Sequence, residues 1–119
     1  MHPPITGIYN ILATPFTAEL AVDEASLRRL VEFQLEMGAY GLTILGVLGE
    51  AAKMTVDERT RVMEIVLEVV AGRVPVIVGT SHPDTAQRIA LSKAAVAAAA
   101  LGVMIAPPPM PGCTDDDII

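Results

Sequence analysis

TVDERTRVMEIVLEVVAGRVPVIVG, residues 55–79, decides the fold. Thr55 and Glu58 stand three apart in a capping box, so a helix starts there. Val62, Ile65, Val66 and Val69 then recur at helical spacing and make an apolar stripe that needs a surface to pack on. Gly72 ends the helix. Val74 to Val78 follows as a run of apolar residues with no polar alternation, stopping at Gly79. A strand apolar on both faces is covered on both sides, which is the habit of parallel sheets with crossover helices.

Working outward, the same unit recurs. Upstream, Gly7 to Ala13 is a short apolar run closed by Thr14 and Pro15, predicting a first strand. Asp23 offers an N-cap, and Leu27, Leu30, Val31 and Leu35 mark a helix over about Glu24 to Met37. Gly38 sits where a left-handed C-cap belongs, and Tyr40 to Leu45 predicts a second strand ending at Gly46. Downstream, a helix over Thr85 to Ala100 precedes a fourth strand, Gly102 to Ala106, and then Pro107, Pro108 and Pro109. Thr114 followed by Asp115, Asp116 and Asp117 has the cap and first-turn acids of one more helix start. The order β-α-β-α-β-α-β implies a parallel sheet, open and doubly wound or closed as a barrel. Gly38 to Ile44 also matches Ala99 to Ile105 at its Ala, Gly and Ile positions, as variations on one repeated unit would.

The 119 residues are 52% hydrophobic and 18% charged, with 3% aromatics and no Trp, so Val, Ile, Leu, Ala and Met must fill the interior. A net charge of −6 offers no basic patch to nucleic acid or to an anionic membrane. A small molecule is the expected partner. The single cysteine, Cys113, forbids an intrachain disulfide and fits a reducing, cytoplasmic setting. The first six residues lack the basic and apolar regions of a signal peptide, and the longest apolar run, Ala94 to Leu101, is too short to span a bilayer.

Five segments, in this order and spacing, carry a resemblance: Ala13-Thr14-Pro15-Phe16 with Val22-Asp23; Gly46-Val47-Leu48-Gly49-Glu50; Met54-Thr55; Glu58-Arg59; and Arg73 to Gly79. Together they resemble the N-terminal signatures of the dihydrodipicolinate synthase / N-acetylneuraminate lyase family. The resemblance implies a (β/α)₈ TIM barrel of which residues 1–119 form the first four βα units, cut at the start of helix four. It also implies a class I lyase or aldolase, in which pyruvate or a related 2-oxo acid forms a Schiff base with a barrel lysine in a desolvated pocket. No cofactor or metal is implied, and a homo-oligomer, dimer or tetramer, is.

Gly46, Val47, Leu48, Gly49 and Glu50 are the expected substrate-binding residues, because loops at the C-terminal strand ends build the sites of such barrels. The glycines allow a tight turn whose amides can hold a carboxylate without a charged side chain. The family usually has two threonines between these glycines, one for the carboxylate and one to relay a proton. Val47 and Leu48 have no hydroxyl, so the backbone role can persist and the relay cannot. The family's Pro-Tyr-Tyr segment is replaced by Pro107-Pro108-Pro109. Its Schiff-base lysine falls on strand six, beyond Ile119, so no catalytic residue is expected within the chain.

Other candidates read more plainly as structure. Lys53 and Lys93, the only lysines, are expected to be solvated. Glu50 orients its loop. Ser81 and His82 suggest a nucleophile and base, but adjacent side chains rarely face each other and Asp84 serves better as a helix cap. Cys113 lacks partners for a metal site. The Ala94 to Ala100 run is a thin helix face, and Gly46-x-x-Gly49 is too short for a nucleotide loop. Two other readings stand: a noncatalytic half-barrel that binds a small acid or a partner half, and a metal-dependent 2-oxo acid aldolase, for which only Glu50 and His82 could serve.

Overall fold

A computed structural model of the chain describes residues 5–107 and 111–117. Four parallel strands alternate with three helices: β1 (Tyr9–Ile11), α1 (Glu24–Glu36), β2 (Gly41–Ile44), α2 (Val56–Val70), β3 (Val76–Gly79), α3 (Thr85–Ala97) and β4 (Gly102–Met104). Short 3₁₀ turns stand at Ala51–Lys53 and Asp115–Asp117.

The strands lie in the order β1-β2-β3-β4. A doubly wound sheet reverses its strand order at a switch point; a barrel never does. Unreversed order puts every crossover helix on one side, and the register shows which residues that side takes. Leu42 pairs with Val76 and Ile44 with Val78, and these four are buried in one cluster with Leu27 and Val31 of α1 and Val62, Ile65 and Val66 of α2. Each fully buried aliphatic side chain contributes about 1.5–3 kcal/mol. Asn10 joins the same side, donating from Nδ2 to Gln34 Oε1 of α1 at 2.7 Å.

The other face carries Ile11, Thr43 and Ile77 in register, continued by Met104 opposite Gly79. Among the described residues no helix covers it, and Ile11 is 54% exposed. The result is a two-layer slab of 44 × 42 × 22 Å with a radius of gyration of 14.7 Å, wider than the roughly 13.5 Å of a globular domain of this length. This is half of a (β/α)₈ barrel, with its lumen side open.

Sequence and structure agree on the four strands and on α1, α2 and α3 and differ at their edges. The Thr55–Glu58 capping box is present in full, and Asp23 and Asp84 cap α1 and α3 through Ser26 N and Ala86 N. Ala71, ahead of Gly72, takes the left-handed C-cap of α2. Gly79 is the last residue of β3 and does not break it. The α3 helix ends at Ala97, short of Ala100, because Ala99 turns left-handed (φ 67°). β4 stops at Met104 before the expected Ala106, because Ala106 N turns to Ser81 Oγ. The acidic stretch forms a single 3₁₀ turn closed by Thr114 and Asp117. Pro108, Pro109, Ile118 and Ile119 lie outside the described residues.

Candidate functional site

The C-terminal ends of the strands meet at one rim, and the loop after β2 is its most constrained part. Leu45 (φ 59°) and Glu50 (φ 57°), neither of them glycine, both adopt left-handed backbone within six residues. L-residues pay for that conformation with about 1–2 kcal/mol each. Between them Glu50 N donates to Val47 O at 3.0 Å and Ala51 N to Gly46 O at 3.4 Å. Thr14, buried at the end of the β1 segment, donates its hydroxyl to Gly49 O at 2.7 Å. Buried Ala51 and Met54 anchor the far end of the loop.

This geometry leaves the loop's tip facing outward. Val47 is 99% exposed and Leu48 57%, and among the described residues the amides of Val47, Leu48 and Gly49 have no backbone acceptor. Consecutive free amides in a turn form a concavity that suits an anion. Two neighbours pack against the base of the loop. Any side chain at Gly79 would collide with the Leu45 carbonyl, so β3 can approach the loop only as glycine, and Met104 Cε lies 3.3 Å from where a side chain would start at Gly46. Glu50 is turned away and pairs with Lys53 at 3.1 Å.

The segment after β3 is held from three sides. Thr80 N donates to Met104 O at 3.0 Å, and the Thr80 and Ser92 hydroxyls are 2.9 Å apart. Ser81 Oγ accepts from Ala106 N at 2.8 Å. Arg59 Nη1 donates to Ser81 O at 2.7 Å and Arg88 Nη1 to His82 O at 3.2 Å. His82 Nδ1 accepts from Asp84 N at 2.9 Å. Ser81 and His82 are thus each committed to backbone partners and do not form a nucleophile and base.

Arg59 is the residue whose importance the sequence reading missed. It is 5% exposed, its Nε has no hydrogen-bond partner among the described residues, and burial pulls its guanidinium below the ordinary arginine range. The signal was present. Arg59 lies at i, i+4, i+7 and i+11 with Met63, Val66 and Val70, the buried stripe of α2. Elsewhere the structure keeps the plain readings: Lys53 and Lys93 are exposed, and Cys113 is exposed and free. Among the described residues no three of His, Cys, Asp and Glu group to hold a metal ion. No helix among them is long and apolar enough to cross a membrane.

An unreversed four-stranded parallel sheet, with helices on one side and its most elaborate loop at the C-terminal strand ends, defines a half of the (β/α)₈ class of proteins. The model of the dihydrodipicolinate synthetase family matches residues 4–110, and the chain belongs to that family. It is 45% identical over 102 residues to a 4-hydroxy-tetrahydrodipicolinate synthase of Salinibacter ruber, covering 86% of this chain and 34% of that one. The crystal structure of dihydrodipicolinate synthase from Rhodopseudomonas palustris superposes with a TM-score of 0.88 at 39% identity, covering 99% of this chain and 38% of that one. A prophage protein of E. coli K12 belonging to the same family, crystallised in complex with pyruvate, gives 0.87 at 29% identity over 94% of this chain and 38% of its own. The chain therefore spans about a third of the length of the curated relatives it matches.

Proposed function

We propose that this chain supplies the first four βα units of a class I lyase or aldolase that binds pyruvate or a related 2-oxo acid. The observation that carries the reading is the loop Gly46-Val47-Leu48-Gly49-Glu50, in which the amides of Val47, Leu48 and Gly49 have no backbone acceptor among the described residues while both of its ends are pinned. In a site that excludes water such amides can hold the substrate carboxylate without a cationic side chain. Val47 and Leu48 bring no hydroxyl, so any proton relay must come from other residues, and the amine that condenses with the 2-oxo group lies outside residues 1–119. A relative crystallised with pyruvate supports the substrate class. On separate grounds we extend the proposal: the single cysteine fits a cytoplasmic setting, and kinship to the family implies a homo-oligomer that requires no cofactor or metal.

Borohydride reduction in the presence of pyruvate, followed by intact mass and peptide mapping, tests this on the gene product as it occurs. The expected result is one pyruvate-derived adduct on a lysine outside residues 1–119. Absence of any adduct contradicts the reading and favours a noncatalytic half-barrel that binds a small acid.

A further inference from the structure

We propose that Arg59 is a positioning residue of this site, fixing the segments after β3 and β4 against each other through the Ser81 carbonyl. The inference deepens the lyase reading and rests on it.

The ion pairs among the described residues involve Arg28, Arg61, Arg73 and Lys53, all substantially exposed. Arg59 differs from all of them. It is buried, and among the described residues it has no carboxylate partner and makes one side-chain hydrogen bond, to the Ser81 carbonyl. For stability alone this is a poor use of the position, since a methionine of similar reach would fill the space without a desolvated charge. What the guanidinium supplies and a thioether cannot is a directed donor.

That donor sits at a junction. The residue whose carbonyl it holds uses its own hydroxyl to accept from Ala106 N, and its neighbour Thr80 ties its amide to Met104 O. Met104 in turn reaches over Gly46. One buried cation on α2 thereby orients the segments that follow β3 and β4 toward the loop that follows β2. A charge-assisted bond is shorter and more directional than a neutral one, which suits fixing a rim. Arg88, donating to His82 O from α3, braces the same segment from its other side.

The test uses the gene product as it occurs, with Arg59→Met, Arg59→Lys and Ser81→Ala. Two quantities are read: the rate of pyruvate adduct formation against pyruvate concentration, and amide hydrogen exchange at Ala106. For Arg59→Met the expected result is a maximal rate lowered about tenfold with half-saturation moved by less than about twofold, because geometry is lost while carboxylate binding is kept. Ala106 exchanges faster in Arg59→Met, and the unfolding midpoint does not drop. Arg59→Lys restores most of the rate, because an ammonium also reaches the carbonyl. Ser81→Ala breaks the next link, the Ala106 bond, and is expected to lower the rate as well; if Arg59→Met does not fold, Arg59→Gln takes its place.

An unchanged maximal rate in Arg59→Met, or in Arg59→Gln where that variant must decide, overturns the proposal. So does a loss that lysine does not rescue. If the wild-type protein forms no adduct, the lyase reading fails and the exchange arm decides the positioning claim: unchanged exchange at Ala106 in Arg59→Met overturns it, and accelerated exchange upholds it.

Discussion

Replacing Thr14 by valine changes one hydroxyl to a methyl at nearly constant volume, in a residue that is 8% exposed. The lost group donates to Gly49 O at 2.7 Å, and among the described residues that carbonyl has no other donor. An acceptor orphaned in a buried place costs about 1–3 kcal/mol. The loop is vulnerable to such a loss, because Leu45 and Glu50 already hold left-handed backbone at about 1–2 kcal/mol each. At the middle of the range, about 2 kcal/mol, the opened loop becomes more populated by roughly 30-fold. The assay pairs urea denaturation with half-saturation of pyruvate adduct formation, comparing Thr14→Val with Thr14→Ser. Valine is expected to lower stability and raise half-saturation, whereas serine, which keeps the hydroxyl, stays near wild type in half-saturation. Equal behaviour of the two variants, or a valine variant within about 0.5 kcal/mol of wild type, refutes the assignment of this bond as the loop's tether.

Gly79→Ala places a methyl against the Leu45 carbonyl, a backbone atom that cannot rotate aside, so a loss of about 1–3 kcal/mol or more is expected in thermal or urea unfolding. Glu50→Gly relieves left-handed strain and gives up only an exposed ion pair to Lys53, so it is expected to stabilise by up to about 1 kcal/mol. Asp84→Ala removes the α3 cap to Ala86 N and should cost about 1 kcal/mol by the same measurement. On the acid side, the Ser26 amide and hydroxyl hold the Asp23 carboxyl below its usual range, Arg61 does so for Glu24, and Arg28 for Glu68. A depressed folded value means stability is fully present above the ordinary carboxylate pKa of about 4 and is lost as pH falls through the depressed values. An unfolding midpoint that falls below about pH 4, with a shallower fall in Asp23→Ala, is the expected profile.

The fold was legible because each unit signals its own ends. Thr55 with Glu58 begins α2, Asp23 and Asp84 begin α1 and α3, and uninterrupted apolar runs mark strands that helices cover on one face. What periodicity could not distinguish was a barrel from an open sheet, which is a matter of strand order and lies in the pairing of β1 to β4. Boundaries moved where a nonlocal partner intervened, as at Ala106, whose amide is taken by a serine 25 positions away. The candidate loop was legible through its glycines. The left-handed turns at Leu45 and Glu50 were not, because leucine and glutamate carry no local preference for them. Arg59 could be placed on the buried stripe of α2 by its spacing from Met63, Val66 and Val70, but its acceptor, 22 positions on, could not be read from the sequence.

The most direct measurement is a crystal structure of the protein after borohydride reduction with pyruvate. The expected result is a carboxylate oxygen about 2.7–3.2 Å from an amide nitrogen of the Gly46–Glu50 loop, with the new carbon–nitrogen bond on a lysine outside residues 1–119. A carboxylate seated elsewhere, with those amides facing only solvent, would contradict the account.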